Sequence, residues 1–177
     1  MSSRFTVRPA TRADLGILAD NLVHGFSSYR RWAPVTWSAP NRLEMLTALL
    51  QRFERDGSWC LVAFEGSEPV GHATARPERD ADERLRASVA RLTHLFVRET
   101  YWGSGIANTL HAGIVGGMVQ RGFASARLWT PEGQARARAF YERRGWKPTG
   151  AHDSVNELGL ELVEYALDPL APLLGDA

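Results

Sequence analysis

The chain has 177 residues, of which 44% are hydrophobic and 23% charged, a composition typical of one soluble globular domain and not of a disordered or fibrous chain. Its 21 basic and 20 acidic side chains leave a formal net charge of +1, so the overall charge gives no reason to expect nucleic acid or an anionic membrane as a partner. Cys60 is the only cysteine, which excludes an internal disulfide and a multi-cysteine zinc site. Because the N-terminus lacks the apolar core of a secretion signal and no stretch reaches about 18 apolar residues, we expect no membrane span and a cytoplasmic location.

The first predicted elements are a strand and two helices. Residues 5–9, FTVRP, form the strand, and residues 11–26 form an amphipathic helix with Thr11 as its N-cap and Asp14 three residues on. A second helix follows Pro40, and Gly57 is placed to end it.

A predicted hairpin follows the two helices. Residues 59–64 and 69–77 are strand-like runs joined by the short polar segment EGSE. Cys60 lies in the first of these strands, where an apolar setting predicts a buried, unreactive thiol. The highly charged residues 78–89 are expected to form a solvated loop or a marginal helical turn.

Strands and helices alternate in the second half. The predicted strands are residues 91–97, 124–129 and 157–167, and the predicted helices run from Ile106 to Gly122 and over residues 131–144. Strands separated by helices indicate a mixed sheet that is parallel in part, with helices on its faces.

A glycine turn lies between a predicted strand and a predicted helix. Gly103, Ser104 and Gly105 place unpaired backbone N–H groups and the positive end of a helix dipole together, where an anion is stabilised. A Walker P-loop is excluded, because Ile106 and Ala107 follow the last glycine instead of a lysine and a hydroxyl residue, and Asn108 stands where a Rossmann fingerprint needs Gly or Ala. On its own the turn is equally typical of a tight bend without a ligand.

Two motifs about thirty residues apart resemble a known pair. VRETYWGSGIANTL, residues 97–110, and QARARAFYERRGW, residues 134–146, resemble the two acetyl-coenzyme A motifs of the GCN5-related N-acetyltransferase (GNAT) family. The resemblance extends from about Phe5 to Leu167. Trp102 stands where the family has Gln or Arg, and Gln134 where it has Asn.

The resemblance implies a fold, a cofactor and a set of site residues. The implied fold is a single α/β domain over residues 1–177, with its core at about 5–167 and a mixed, mainly antiparallel sheet of six to seven strands, flanked by about four helices and splayed between strands 4 and 5. The implied cofactor is acetyl-coenzyme A, and no metal is expected, since the five histidines form no HExxH pattern. The residues implied to bind the cofactor are Leu95, Phe96, Val97, Trp102, Gly103, Ser104, Gly105, Ile106, Ala107, Asn108, Gln134, Ala137 and Tyr141.

Tyr141 is the one residue to which the resemblance gives a catalytic role, donation of a proton or hydrogen bond to the departing thiolate. A phenol with a pKa of about 10 is protonated near neutral pH and can donate to a thiolate whose thiol has a pKa of about 8.5. Tyr141 also lies at helical spacing with Ala137 and Phe140, so a purely structural role stays open. The neighbouring arginines, Arg136, Arg138, Arg143 and Arg144, form either a cofactor-phosphate site or a solvated helix face.

The sequence does not assign a base for the acceptor amine. The positions that match the family's base are Arg91 and Thr93, which cannot serve, and strand alternation turns His94 to the opposite face unless a bulge intervenes. The sequence pattern gives no stronger support as a base to His72, Glu161 or Glu164.

The loop between the first two helices is the candidate acceptor site. It contains aromatic residues around two arginines, Phe26, Tyr29, Arg30, Arg31, Trp32 and Trp37. Such a set either encloses an apolar acceptor that carries a carboxylate or phosphate, or packs the loop onto the domain.

The sequence therefore predicts an acetyl-coenzyme A dependent N-acetyltransferase, in which a small-molecule or peptide amine attacks the thioester directly. Two rival hypotheses stay open, a catalytically idle acetyl-coenzyme A sensor or partner module and a nucleotide-binding α/β domain. The acceptor, the acyl chain length and the oligomeric state, a homodimer included, are not decided by the sequence.

Overall fold

A seven-stranded sheet, in the order β1-β2-β3-β4-β5-β7-β6, organises the computed structural model, which describes residues 5–55 and 57–170. The strands are β1 Thr6–Pro9, β2 Trp59–Glu65, β3 Glu68–Arg79, β4 Leu85–Val97, β5 Ser125–Pro131, β6 Lys147–Asp153 and β7 Leu162–Leu167. The helices are α1 Leu15–Ser27, α2 Arg42–Arg55, α3 Ile106–Gln120 and α4 Ala135–Glu142, with 3-10 turns at Arg12–Asp14, Ser28–Arg31 and Glu99–Tyr101. Only β4 and β5 pair in parallel, so the predicted mixed, mainly antiparallel sheet with about four helices is confirmed.

Each face of the sheet buries its own core. The face that we call the α1 face packs against α1 and α2, and its buried residues include Leu18, Leu22, Phe26, Tyr29, Leu49, Cys60 and Val62. The opposite, α3 face buries Leu92, Ile106, Leu110, Ile114, Leu128, Tyr141 and Trp146. Cys60 is 3% exposed, as the sequence predicted, and burial raises the pKa of its thiol to about 12.

Three local predictions differ from the structure. Residues 78–89 do not form a separate loop, because they complete the end of β3 and the start of β4 on either side of a short turn. Pro131 ends β5, whereas α4 begins only at Ala135. β6 was not predicted, because its exposed segment KPTGAHD has no apolar alternation.

β4 contains a β-bulge. Thr74 pairs with His94, but the next residue of β3, Ala75, pairs with Leu92, so Thr93 is an extra residue without a partner on β3. Beyond the bulge, the side chains of β4 have changed faces relative to regular alternation. Leu92 and Leu95 therefore both pack on the α3 face, whereas Phe96 packs on the α1 face.

The start of the first helix is stabilised by Asp14, as the Thr11 pattern predicted. The Asp14 carboxylate accepts hydrogen bonds from the Thr11 backbone N–H at 2.8 Å and from both Arg8 Nη atoms, at 2.8 and 2.9 Å. Asp14 is 5% exposed, and the Arg8 guanidinium holds its pKa well below the usual range. This carboxylate ties β1 to the helix that follows.

We expect Asp14→Asn to lower the free energy of unfolding by about 1–2 kcal/mol at pH 7, because the charged hydrogen bonds to Arg8 are weakened. The pKa of Asp14 is lower in the folded state, so its contribution is complete above the unfolded pKa of about 3.9 and is lost as the pH falls below it. Urea denaturation from pH 7 to pH 2 measures both effects. The control is Asp20→Asn, since Asp20 forms an exposed pair with Arg42 that is worth under about 1 kcal/mol. Equal losses in the two variants would contradict the role of Asp14.

Candidate functional site

The sheet opens between β4 and β5. Their parallel pairing ends at Leu92 and Leu128, although β4 continues to Val97 and β5 to Pro131. The last residues of β4 therefore present a main-chain edge that β5 does not pair with. A cleft of about 440 Å³ lies against Leu95, Phe96 and Val97 at this edge. The splay predicted between strands 4 and 5 is confirmed, and it provides a strand edge to which an extended ligand can add.

The cleft brings together eleven of the thirteen residues that the sequence implied for the cofactor, all except Ser104 and Ile106. The Ser104 hydroxyl donates to the Tyr101 carbonyl oxygen at 2.6 Å, and the Ile106 side chain is buried on the α3 face. Their backbone N–H groups are also engaged, since that of Ser104 donates to the Tyr101 carbonyl oxygen at 3.2 Å and that of Ile106 to the Ser104 hydroxyl oxygen at 3.5 Å. Cleft residues for which the sequence gave no signal are His24, Gly25, Ser28, Glu99 and Tyr101.

The glycine turn has the geometry of an anion cradle. Gly103 and Gly105 have φ values of +83° and +92°, in the left-handed region that favours glycine, and no atom lies within 4 Å of a Cβ built on either residue. Among the described residues, the backbone N–H groups of Gly103, Gly105 and Ala107 have no hydrogen-bond partner. They lie at the N-terminus of the 15-residue α3, where the helix dipole is positive. These observations fit the pyrophosphate of coenzyme A.

Three of the four arginines around the second motif line the cleft. Arg136, Arg143 and Arg144 face it, whereas Arg138 donates to the Tyr165 hydroxyl at 3.1 Å and lies outside. The Arg144 guanidinium lies 3.5 Å from the centroid of the Phe140 ring and donates to the Asn108 side-chain oxygen. The mouth of the cleft is therefore positively charged, which suits a phosphorylated ligand.

Tyr141 lies on α4 with its ring packed between Phe140 and Trp146 and borders the cleft. The residue is 8% exposed, and burial raises the pKa of its hydroxyl above the ordinary value of 10. No described residue hydrogen-bonds to this hydroxyl. Tyr141 thus offers a protonated, unpaired donor at the cleft.

A second cleft of about 840 Å³ lies on the α1 face. Phe96 lines both clefts, so the two clefts lie next to each other at this residue. The second cleft is surrounded by residues from α1, the 3-10 turn after it, α2, β3, β4, β5 and the β6–β7 connection, among them Phe26, Tyr29, Leu49, Arg52, Arg91, His94, Trp129 and Leu158. Its position beside the open strand edge makes it the candidate acceptor site.

Only some residues of the predicted acceptor loop line the second cleft. Phe26 and Tyr29 line the second cleft. Trp37 fastens the loop to the β6–β7 connection, because its indole N–H donates to the Leu158 carbonyl oxygen at 2.8 Å. Trp32 packs against the Tyr29 ring, with centroids 4.6 Å apart.

The two arginines of this loop lie elsewhere. Arg31 pairs with Glu99 at 2.6 Å beside the first cleft, and Arg30 is exposed. Neither residue is among those that line the second cleft.

Comparison with known families gives one match that spans more than half of the chain. The model described as the acetyltransferase (GNAT) family matches residues 26–146, which include both sequence motifs. The chain belongs to the GNAT acetyltransferase family. The cofactor of this family is acetyl-coenzyme A, in agreement with the sequence analysis.

Solved structures with the GNAT fold cover nearly the whole chain. YncA of Salmonella typhimurium, solved with acetyl-coenzyme A, has a TM-score of 0.71 at 18% identity and covers 99% of both chains. Ribosomal-protein-alanine N-acetyltransferase of Brucella melitensis has a TM-score of 0.69 at 23% identity, over 92% of this chain and 99% of its own. PaiA N-acetyltransferase of Thermoplasma acidophilum, in complex with coenzyme A, has a TM-score of 0.66 at 16% identity, over 92% and 98%. No curated protein matches the sequence.

Trp102, the first departure from the GNAT motif, is held in a specific position. Its indole N–H donates to the Val97 carbonyl oxygen at 2.9 Å. The Arg136 guanidinium lies 4.1 Å from the ring centroid, and that of Arg31 lies 5.6 Å from it. Trp102 therefore links the open edge of β4, the glycine turn and α4.

We expect Trp102→Phe to raise the Kd for coenzyme A about 3- to 10-fold, because the ring is retained but the hydrogen bond that orients the end of β4 is lost, at about 1 kcal/mol. Calorimetric titration measures the change. Trp59→Phe is the matched control, since Trp59 also has an arginine over its ring, Arg121 at 4.3 Å, but lies at neither cleft. Equal affinities for Trp102→Phe and wild type would remove Trp102 from cofactor binding.

The structure also locates the residues weighed as bases for the amine. Arg91 pairs with Glu78 at 2.5 Å, and the Thr93 hydroxyl donates to the Thr74 carbonyl oxygen at 3.1 Å. His72 is fully buried, and His94 lines the second cleft because of the bulge. The bulge, which the sequence did not signal, brings His94 to the acceptor side.

The two acidic candidates are both paired. Glu164 accepts from the Thr149 hydroxyl at 2.9 Å, and Glu161 lies 3.3 Å from His152.

Within residues 5–55 and 57–170, no helix combines the length and apolar character needed to cross a bilayer. The same residues contain no group of three or more His, Cys, Asp or Glu side chains arranged to hold a metal ion.

Proposed function

We propose that this chain transfers an acetyl group from acetyl-coenzyme A to a primary amine, by direct attack of the amine on the thioester. The observation that carries the proposal is that one residue, Phe96, lines both the cleft with the anion cradle and a second cleft on the α1 face. A donor held in one cleft and an acceptor held in the other can react only where the two clefts meet.

The residues of the first cleft fit coenzyme A along its length. The cradle at Gly103–Ala107 suits the pyrophosphate, and Arg136, Arg143 and Arg144 suit the remaining phosphate. The edge of β4 at Leu95, Phe96 and Val97, which β5 does not cover, can bond to the amides of the pantetheine arm as an added strand would, beside the hydrogen bond that the Val97 carbonyl oxygen accepts from Trp102. Gln134, the second departure from the motif, still lines this cleft beside Ala137.

Acetyl-coenzyme A supplies the activated acetyl group as a thioester. Tyr141 is the proposed acid, because its buried phenol holds its proton at neutral pH and has no competing partner among the described residues. A thiolate leaves more readily when a donor stabilises its charge. No metal and no covalent enzyme intermediate is required by this proposal.

The second cleft supports a small-molecule or peptide acceptor with an apolar part. Its walls combine the aromatic rings of Phe26, Tyr29, Phe96 and Trp129 with charged groups of both signs. Leu158, which lines this cleft, accepts a hydrogen bond from Trp37, so two connections from distant parts of the sequence are held together beside it.

The test is a consumption assay for acetyl-coenzyme A against a broad panel of small amines, amino acids, antibiotics and peptides, beside calorimetric titration with coenzyme A. Turnover with at least one amine and binding of coenzyme A are the expected results. Binding without turnover of any amine would favour the idle sensor or partner module. Tight binding of a nucleotide without binding of coenzyme A would overturn the cofactor assignment as well.

A further inference from the structure

The ring of Phe96 lies between residues of the two clefts. A Cβ built on Gly25, which lines the first cleft, would lie 2.6 Å from Cγ and 2.7 Å from Cε1 of this ring, and closer still to Cδ1. The rings of Phe26 and Tyr29, which line the second cleft, have centroids 5.2 and 6.4 Å from that of Phe96. The aromatic side chain, and not only the backbone of this residue, therefore belongs to the boundary between the clefts.

The position of the Phe96 ring is fixed by its neighbours. The His94 ring stacks on it, with centroids 6.1 Å apart and an interplanar angle of 25°, and the His72 ring lies at the same centroid distance. An alanine Cβ on α1 at residue 25 would overlap the ring, so the ring can lie where it does only because that residue is Gly25. Since Phe96 is only half-buried, part of the residue stays accessible to a ligand.

The open edge of β4 leads from the glycine turn towards this ring. The turn adjoins the end of β4, because the Trp102 indole donates to the Val97 carbonyl oxygen. An extended pantetheine arm that begins at the turn passes Val97 and Phe96 before it reaches Leu95. Beyond Leu95 the gap closes, because β4 pairs with β5 from Leu92 backwards. The thioester end of the arm therefore lies beside the Phe96 ring, with paired strands ahead of it.

We propose that Phe96, held in place by Gly25, restricts the acyl group that the first cleft accepts to acetyl. The inference rests on the proposed function and adds the chain length of the acyl donor. A two-carbon acyl group ends close to the thioester. A longer chain has to continue either into the paired strands β4 and β5 or through the space that the Phe96 ring fills. Both are packed, so the longer chain has to displace a ring that has no free space behind it.

The first test uses the wild-type protein without an acceptor. Calorimetric titration measures the Kd for acetyl-, propionyl-, butyryl- and hexanoyl-coenzyme A, with free coenzyme A as the reference. We expect the Kd for butyryl- and hexanoyl-coenzyme A to exceed that for acetyl-coenzyme A by about tenfold or more. Equal or tighter binding of the hexanoyl thioester would overturn the proposal.

Phe96→Leu tests the ring itself, because the shorter side chain opens space at the boundary. We expect the Kd for butyryl-coenzyme A to fall to that for acetyl-coenzyme A, while the Kd for free coenzyme A stays unchanged. Phe64→Leu is the matched control, since Phe64 packs in the core of the α1 face and lines neither cleft. It is expected to lower the melting temperature without changing the dependence of Kd on chain length. Wild-type discrimination in folded Phe96→Leu would show that another group limits the acyl chain.

Gly25→Ala tests how the ring is held. The added methyl group pushes the ring towards the thioester, so we expect a Kd for acetyl-coenzyme A about tenfold higher than in wild type. In the Phe96→Leu background the same substitution is expected to have little effect, because the two residues act through one contact. Gly113→Ala is the control, since its Cβ would lie 2.8 Å from Leu61 Cδ1 but α3 carries it outside both clefts. Equal effects of Gly25→Ala in both backgrounds would contradict the role of Gly25.

These measurements need no turnover, so this inference and the proposed function can fail separately. If chain length affects the Kd as expected but no amine is acetylated, the role of Phe96 stands and the proposed function falls. If an amine is acetylated but acetyl and hexanoyl thioesters bind equally, the proposed function stands and the role of Phe96 falls. If the wild-type protein binds no thioester of coenzyme A, both fall.

Discussion

Replacing Tyr141 with Phe is expected to lower kcat by about 10² to 10⁴, the usual contribution of a positioned general acid. The substitution removes one hydroxyl and keeps the ring that packs between Phe140 and Trp146. Because no described residue hydrogen-bonds to this hydroxyl, the free energy of unfolding and the Kd for coenzyme A are expected to change little. Steady-state kinetics, thermal unfolding and calorimetric titration measure the three quantities.

Tyr165→Phe is the matched control for this experiment. Its hydroxyl donates to Glu142 at 2.7 Å and accepts from Arg138 at 3.1 Å, away from both clefts. We expect it to lower the stability by about 1 kcal/mol and to leave kcat unchanged. A loss of about tenfold in Tyr141→Phe would indicate a hydrogen bond to the thiolate without full proton transfer. If Tyr141→Phe retains full kcat while acetyl transfer is rate-limiting, the proposed acid is wrong.

Replacing Gly105 with Val is expected to raise the Kd for coenzyme A by about 100-fold or more, while the protein stays folded. A β-branched side chain resists the φ value of +92° and would project into the open space that the pyrophosphate is proposed to occupy. Displacement of the turn would also redirect the N–H groups of Gly103, Gly105 and Ala107. Calorimetric titration with coenzyme A measures the effect.

Gly122→Val is the control that distinguishes the effect of backbone strain from the loss of the anion cradle. Gly122 follows the other end of α3 with a φ value of +83° and has the same open surroundings, but it lies outside the cleft. Both variants are expected to lose stability, and only Gly105→Val is expected to lose affinity. Wild-type affinity in folded Gly105→Val would show that the phosphates bind elsewhere.

The elements with strong local signals were predictable. The helix over 106–120 has apolar residues at regular helical spacing and begins after a glycine, and the hairpin of β2 and β3 has a short polar turn between apolar runs. β6 gave no such signal, because it is an exposed edge strand with proline, glycine and polar residues. The end of β3 and the start of β4 were not predicted, because their many charged residues suggested a solvated loop. One of these residues, Glu78, is in fact buried and paired with Arg91.

The candidate site was predicted where it depends on contiguous motifs and missed where it depends on tertiary structure. The glycine turn and Tyr141 each lie in a short recognisable segment. The acceptor side is assembled from α1, α2, β4 and the β6–β7 connection, whose meeting no local pattern records. The extra residue in β4 could not be predicted either. The register shift at Thr93 moves the His94 side chain to the other face of the sheet, and no local sequence pattern signals it.

The burial of Cys60 has a practical value for measuring this chemistry. A thiol with a pKa of about 12 is almost entirely protonated at neutral pH, and thiol-specific dyes react with the thiolate. Since Cys60 is the chain's only cysteine, the folded protein should give almost no background in such an assay. Coenzyme A released by acetyl transfer can then be followed continuously by colour, at high protein concentration, even for variants that turn over very slowly.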